Sequence, residues 1–377
     1  MTQLSFPDRV VPADTRTQGI KYIGSKLKLL PYILQLARAV DAVTVLDGFA
    51  GTTRVSQAFA RNGYSVICND VAVWSSVFGT AYLTSSGSRA DYESLIDHLN
   101  GVEPIDGWFT EHYGGQPNSG CSVQGDGLKR PWQVHNTRKL DAIREEITCL
   151  KLDPGTEAVA LTSLVLALDK VDSTIGHFAS YLREWSPRSY GELVLQVPEI
   201  VESDSAHSVI RADVFEALED VTADLAYFDP PYGSNNEKMP PSRVRYASYY
   251  HIWTTVCLAD RPGLFGKARR RDDAGDRIAA SVFEDFRKNA EGQFIVLAAI
   301  DKLLSVANAQ WVILSYSSGG RATASELNEV IRKNGRVLDV VEIDLKRNVM
   351  ASMCWTNEWL REAQVPNREF LFLVEKG

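Results

Sequence analysis

No stretch of this 377-residue chain approaches the ~20 consecutive apolar residues that cross a bilayer, so no membrane span is expected. The opening residues, MTQLSFPDRVVPADTRTQG, hold no apolar core of the kind an export signal needs. Cysteine is scarce: Cys68, Cys121, Cys149, Cys257 and Cys354 are odd in number, widely spaced, and form no CxxC pair. That pattern indicates neither a disulfide framework nor a thiolate zinc site, and a reduced cytoplasm fits it best. No metal is expected. Positive charge is also short, with 40 Lys and Arg against 48 Asp and Glu and a formal net charge of −8. A polyanionic partner would therefore need a basic face set on an acidic body. Internal repeats and low-complexity tracts are missing too.

What is present is a rhythm of short apolar runs ending in acidic or small residues. Val43–Asp47, Ser65–Asp70, Ser208–Asp213, Asp224–Asp229 and Gln310–Ser315 each read as a buried strand. Val337–Leu345 and Glu369–Val374 add two more candidates. Arg54–Asn62, closed by Gly63, is a helix between the first two strands. Strand, helix and strand joined by short turns predict a doubly wound, mostly parallel α/β sheet. Residues 85–207 break the rhythm. Gly101–Pro131 is rich in Gly, Pro, Asn and Ser and reads as loops. Further on, Asn136 is placed to cap a helix with Leu140, Ile143, Ile147 and Leu150 on one face. Glu157–Asp169 is a second helix, and His177–Trp185 a candidate third. The expected organisation is a flexible 1–17, a core domain of 18–84 with 208–377, and an inserted helical subdomain at 85–207. Inserted elements at the carboxyl edge of such a sheet commonly carry substrate recognition.

Four short segments carry chemistry. Asp229-Pro230-Pro231-Tyr232 follows a strand, and two consecutive prolines force the chain out of the sheet. The alternative is an ordinary strand exit with a solvated Asp229. Chemically, the Asp229 carboxylate and Pro230 carbonyl are two acceptors for the two protons of a ring-conjugated amino group. Such a grip favours a pyramidal nitrogen facing a methyl sulfonium, so that catalysis is positioning and electrostatics. Tyr232 supplies a face for stacking, and a base inside a duplex must be flipped out to reach it. Asp47-Gly48-Phe49-Ala50-Gly51 forms the turn after the first strand, but GxGxxG is absent, which argues against a pyrophosphate ligand. Asp70, about twenty residues on, is placed either to bind ribose hydroxyls or to cap the next helix. Asp213 ends the third strand similarly and is a candidate contact for an adenine amino group. Lys21-Tyr22-Ile23-Gly24-Ser25-Lys26 leads into a helix at Leu27–Ala39, where a helix start and Lys26 suit a carboxylate.

Taken together, K-Y-I-G-S-K, D-G-F-A-G, N-D and D-P-P-Y resemble the Dam-related, alpha-order group of N6-adenine DNA methyltransferases. The resemblance runs from about Gln18 to Lys376 and includes ILSYSSGG and NREFLFLV. The stretches HNTRKLDAIREEI, GHFASYLREW and YYHIW resemble a subgroup of bacterial adenine-specific methylases. This implies a Rossmann-like fold, S-adenosylmethionine as cofactor without a metal, and double-stranded DNA as substrate. It implies cofactor contacts from Tyr22, Lys26, Asp47, Phe49, Gly51, Asp70, Asp213 and Asp229. It implies catalysis at Asp229, Pro230, Pro231 and Tyr232, with target recognition in the insertion. A cognate restriction endonuclease is a candidate partner, and a monomer is the default. Two positions depart from the pattern. Thr53 replaces the last glycine of the turn, which is expected to widen it, and Tyr22 stands where relatives often carry Trp.

The segment after the catalytic motif is basic: Arg243, Arg245, Lys267, Arg269, Arg270 and Arg271, with Arg261 and Arg277 beside them. It reads either as a solvated loop or as a set of phosphate contacts on the face of the target pocket. Tyr246, Tyr249 and Tyr250 are candidates to fill the gap left by a flipped base, whereas Trp253 is expected in the core. Methylation of cytosine N4 or of RNA is the alternative activity, since any conjugated amino group suits the acceptors. A DNA-binding relative without turnover is the non-enzymatic alternative.

Overall fold

The computed structural model describes residues 13–231, 246–275, 281–285, 287–317, 320, 322, 324–344 and 368–377. The apolar runs form seven strands: β1 (Thr44–Asp47), β2 (Ser65–Asn69), β3 (Ser208–Ile210), β4 (Thr222–Phe228), β5 (Asn308–Ser317), β6 (Gly335–Asp344) and β7 (Arg368–Lys376). They make one sheet in the order β6-β7-β5-β4-β1-β2-β3. Pairings are parallel from β5 through β3, while β7 runs antiparallel to both β5 and β6. The third strand stops short of its expected end, because Asp213 has already left the sheet to cap a helix.

Helices α1 (Leu30–Arg38), α2 (Arg54–Arg61) and α3 (Val73–Gly79) accompany the first two strands. Between β2 and β3 come α4 (Arg89–Gly101), α5 (Trp108–Tyr113), α6 (Val134–Leu150) and α7 (Pro154–Lys170). Then follow α8 (Val214–Asp220), α9 (Tyr246–Tyr249), α10 (His251–Leu258), α11 (Ile295–Val306) and α12 (Ala324–Asn334). Both sheet faces are covered, which is why the strands read as unbroken apolar runs. On one face Val45, Tyr227 and Ile313 pack with Ile33 of α1 and Phe59 of α2. On the other, Leu46, Phe228 and Leu314 pack with Leu218 of α8, Ile300 of α11 and Leu327 of α12. Each fully buried aliphatic or aromatic side chain contributes roughly 1.5–3 kcal/mol. The core on the first face continues without a break into the insertion, through Tyr113, Trp132, Ile143 and Leu164.

The insertion is where expectation and structure part most. Asn136 does not cap α6, which begins at Val134. It sits inside the helix and holds the returning chain through Gly191 O (2.9 Å) and Leu193 N (2.8 Å). Leu140, Ile143 and Ile147 are buried as expected, but Leu150 is exposed. Gly101–Pro131 is not all loop. It contains α5, whose first amides, Phe109 N and Thr110 N, are capped from α6 by Asp141 (2.9 and 2.8 Å). His177–Trp185 is not a helix. Phe178, Tyr181 and Trp185 are buried at helix-like spacing, yet the backbone pairs at a distance, Leu182 N with Ser173 O and Ser122 N with Arg183 O. A spacing of three and four residues identified the buried set but not the conformation that buries it.

Candidate active site

A cavity of about 930 Å³ lies at the carboxyl ends of β1, β2, β3 and β4, where an open α/β sheet gathers its ligands. Phe228 ends β4, and Asp229, Pro230 and Pro231 carry the chain out along the cavity wall. One carboxylate oxygen of Asp229, Oδ2, lies 2.9 Å from Lys26 Nζ. The other, Oδ1, is buried and has no hydrogen-bond partner among the described residues. Burial drives the Asp229 pKa up, Lys26 opposes the rise and the carboxylate of Glu369 adds to it, with the outcome at about 6. Tyr232, Arg243, Arg245 and Arg277 lie outside the described residues.

Lys26 was expected to receive a carboxylate from the ligand. Its Nζ instead meets Asp229, Glu369 Oε1 at 3.2 Å and Gly24 O at 3.2 Å, with the side chain 6% exposed. Lys26 also lines the cavity. No α-helix begins at Gly24-Ser25 either: residues 26–28 make a tight 3₁₀ turn, and α1 starts only at Leu30. The segment is fixed from outside, by Lys21 Nζ to Asp172 Oδ1 (2.9 Å) and by Tyr250 Oη accepting from Ile23 N (2.7 Å). Tyr22 stacks on Tyr250 and Tyr246, with ring centres 4.5 and 5.4 Å apart, and leans on Trp74.

The glycine turn is held by main-chain and carboxylate bonds. Gly48 N donates to Tyr227 O and Ala50 N to Asn69 O, both at 3.0 Å. Gly51, at φ +49°, donates to Asp70 Oδ2 (2.8 Å), while Asp70 Oδ1 accepts from Ala72 N (2.8 Å). Asp70 thus fixes both the turn and the entry to α3 while lining the cavity. Thr53 takes the place of the last glycine of the turn. It adopts φ +60° itself, the left-handed conformation a glycine would take, and its hydroxyl accepts from Gln57 Nε2 (3.0 Å). Asp47 was expected to touch the ligand but lies behind the turn, fully buried, accepting from Ser56 Oγ (2.6 Å). Burial drives its pKa up to about 7 against the pull of that bond. Phe49 and Asp213 do line the cavity, Phe49 edge-on to Phe283 and Asp213 capping α8 at Phe215 N (2.9 Å).

Of the described basic residues, Lys267 is exposed, and Arg270 lies half-buried over the Phe265 ring (4.6 Å). Arg269 is bound to Asp126 (2.8 Å) and His112 Nδ1 (2.7 Å). Arg271 departs from the expected phosphate role: it is buried between Asp260 (2.8 Å) and Asp273 (2.6 Å). Sequence reasoning missed Glu369 and Ser315. Glu369 is 2% exposed at the start of β7 and accepts from Ser315 Oγ at 3.0 Å. Because β7 runs antiparallel, its beginning lies beside the carboxyl end of β5, with Glu369 opposite Ser317. Strand direction was the missing signal. No cluster of three or more His, Cys, Asp or Glu side chains suited to a metal occurs among the described residues.

The sheet order and the acidic, aromatic-walled cavity define a Rossmann-like methyltransferase. The sequence profile of the D12 class N6 adenine-specific DNA methyltransferases matches residues 22–273, and the chain belongs to that family. It is therefore an adenine-specific DNA methyltransferase, with DNA as its substrate and S-adenosylmethionine use implied by the family. It is 25% identical over 339 residues to the type II methyltransferase M.NlaIII of Neisseria lactamica, covering 87% of this chain and 92% of that one. It is 27% identical over 334 residues to the modification methylase StsI of Streptococcus sanguinis, 83% of this chain but 46% of the relative. The type II methyltransferase M.FokI of Planomicrobium okeanokoites matches at 25% over 333 residues, again with 47% of its length covered. The chain thus spans nearly all of the first relative and about half of the other two.

Proposed function

We propose that the chain methylates N6 of an adenine flipped out of double-stranded DNA, with Asp229 and the Pro230 carbonyl gripping the amino group. The carrying observation is the buried, unpartnered Asp229 Oδ1 beside an Oδ2 already held by Lys26. One acceptor oxygen is left over, fixed in direction by a lysine that cannot turn away. The Oδ1 atom accepts one N–H and the Pro230 carbonyl the other, which lets the nitrogen lone pair stand clear of the ring. Asp229, as a carboxylate, is also the nearest base for the proton that leaves N6.

The lining residues suit S-adenosylmethionine, which when bound supplies an electrophilic methyl group. Carboxylates at strand ends suit a cation and sugar hydroxyls, and aromatic faces suit an adenine ring. We assign ribose contact to Asp70, adenine contact to Asp213 and Phe49, and the methionine end to the neighbourhood of Tyr22 and Gly51. Lys26 lines the same cavity beside Asp229, and Asp47 acts behind this layer.

Residues 85–207, with the segment 246–275 docked on them, form the proposed target-recognition unit. Lys267 and Arg270 are the described candidates for phosphate contact. Relatives bearing type II and modification-methylase names support a restriction-modification setting with a cognate endonuclease. The test is Asp229→Ala assayed by tritiated methyl transfer, followed by nucleoside analysis of the wild-type product. Loss of transfer and N6-methyldeoxyadenosine are expected. Wild-type turnover in the variant, or N4-methylcytosine as product, would refute the assignment.

A further inference from the structure

Among the described residues, five cationic side chains line the cavity: Lys26, Arg54, Arg211, Arg271 and Lys302. Lys26 lies beside Asp229 and Glu369, and Arg271 between Asp260 and Asp273. Lys302 stands over the Phe215 ring at 4.3 Å, and both Lys302 and Arg211 are exposed at the Asp213 end. Arg54 differs from all four. It is half-buried and opens α2 directly after the glycine turn. Its Nη1 donates to Thr17 O (2.9 Å) and Thr17 Oγ1 (3.1 Å), and its Nη2 to Gly19 O (3.0 Å). All three acceptors are neutral. Its Nε is buried and has no hydrogen-bond partner among the described residues. Asp169 acts on Arg54 by charge alone and is itself bonded to Lys21 N at 3.0 Å.

Resting on the assignment of the methionine end to the neighbourhood of Tyr22 and Gly51, we propose that Arg54 pairs with the carboxylate of S-adenosylmethionine. A guanidinium has five N–H groups. Three are engaged, which leaves the Nε proton and one on Nη2, neighbouring donors that suit the two oxygens of a carboxylate. A charge taken partly out of water and met only by neutral oxygens is under-compensated, and an anionic ligand group supplies what is missing. The position agrees with the chemistry. A Cβ on Gly19 would lie 3.4 Å from Arg54 Cζ, Arg54 Nε and Thr52 Cβ, and one on Gly51 would lie 3.5 Å from Tyr22 Oη. The guanidinium therefore sits against the residue that follows Gly51, on the Tyr22 side of the cavity. The start of α2 has no side-chain cap either, because the Thr53 hydroxyl serves Gln57. The competing role is a clamp, since Arg54 also fixes residues 17–19, from which the chain runs on to Tyr22.

The test compares two ligands by titration calorimetry on the whole chain: S-adenosylmethionine and its decarboxylated analogue, which keeps the adenosine, the sulfonium and the amine. The wild type is expected to bind the carboxylated ligand about tenfold to a hundredfold more tightly. Arg54→Gln is expected to erase most of that preference by weakening S-adenosylmethionine and not the analogue, with thermal melting to verify folding. Arg54→Lys keeps the charge without the fork and is expected to lose part of it. Lys302→Gln removes a cation from the other end of the cavity and is expected to leave the preference unchanged. Equal weakening of both ligands in Arg54→Gln, or in Arg54→Lys should the first variant not fold, makes Arg54 a clamp only and overturns the inference. An equal loss of preference in Lys302→Gln also overturns it, since the effect would then be one of general charge. Either result leaves the cavity standing as the cofactor site. A wild type that binds neither ligand sinks the reading of the cavity itself.

Discussion

At the scale of single residues, two aspartates near the cavity are shifted by the same cause with different consequences. Asp229 is raised to about 6, and the acceptor role proposed for it needs the ionised form. Its methyl transfer is therefore expected to fall off below about pH 6, and a pH profile of kcat/KM checks this. Asp47 is raised to about 7 from an ordinary value of 3.8. A carboxyl whose folded pKa is raised binds its proton more tightly when folded. Its contribution to stability is full below 3.8 and is lost as pH rises through about 7. Thermal melting of Asp47→Asn is thus expected to fall less than wild type between pH 5 and pH 8; an equal fall would contradict it. Thr53 makes a third residue-scale case. A β-branched residue at φ +60° is strained, but its hydroxyl satisfies the buried Gln57 amide. Thr53→Ala removes that bond and is expected to cost about 1–2 kcal/mol in urea unfolding. Thr53→Gly relieves the strain as well, and is expected to cost less.

At the scale of elements, legibility followed periodicity and stopped at direction and partner. Strands β1, β2, β4 and β5 were plain in the sequence, because a strand covered on both faces must be apolar throughout. The turn at Gly48–Gly51 and the exit at Pro230-Pro231 were equally plain, since few residue types permit those backbone paths. Glu369 was hidden because its meaning depends on β7 running backwards beside β5. The burial of Arg271 was hidden by its neighbours in the string RRRDD. Nothing in a run of mixed charge says which pairs fold inward. Arg271 ends a short antiparallel hairpin, Leu264–Phe265 paired with Arg270–Arg271, which is docked on the insertion by two phenols, Tyr113 Oη to Arg269 O and Tyr181 Oη to Ala268 O, each at 2.7 Å. Arg144 of α6 adds bonds from its guanidinium to Val256 O (2.8 Å) and Cys257 O (3.2 Å). Removing both phenols, as Tyr113→Phe with Tyr181→Phe, is expected to speed amide hydrogen exchange across residues 264–271 while leaving α6 protected. Unchanged exchange in the hairpin would show that these bonds do not hold it.

At the scale of the whole molecule, an acidic chain has to hold a polyanion. The net charge of −8 opposes DNA at long range, so affinity depends on a few local cations. Deleting a cation that touches a phosphate is expected to reduce the log–log salt slope of DNA binding by about 0.9. Lys267→Ala tests the phosphate contact proposed for that lysine, whereas Arg271→Ala is expected to act through stability, since that guanidinium is already engaged by Asp260 and Asp273. The proposed function hangs on a carboxylate and an adjoining main-chain oxygen gripping the NH₂ of one flipped base. The most direct test is sequencing that detects modified bases in DNA from a host expressing this chain, beside a host expressing Asp229→Ala. N6-methyladenine at one recurring sequence, present with the wild type and absent with the variant, is the expected result. Unmodified adenine with the wild type, or the same marks with the variant, would contradict it.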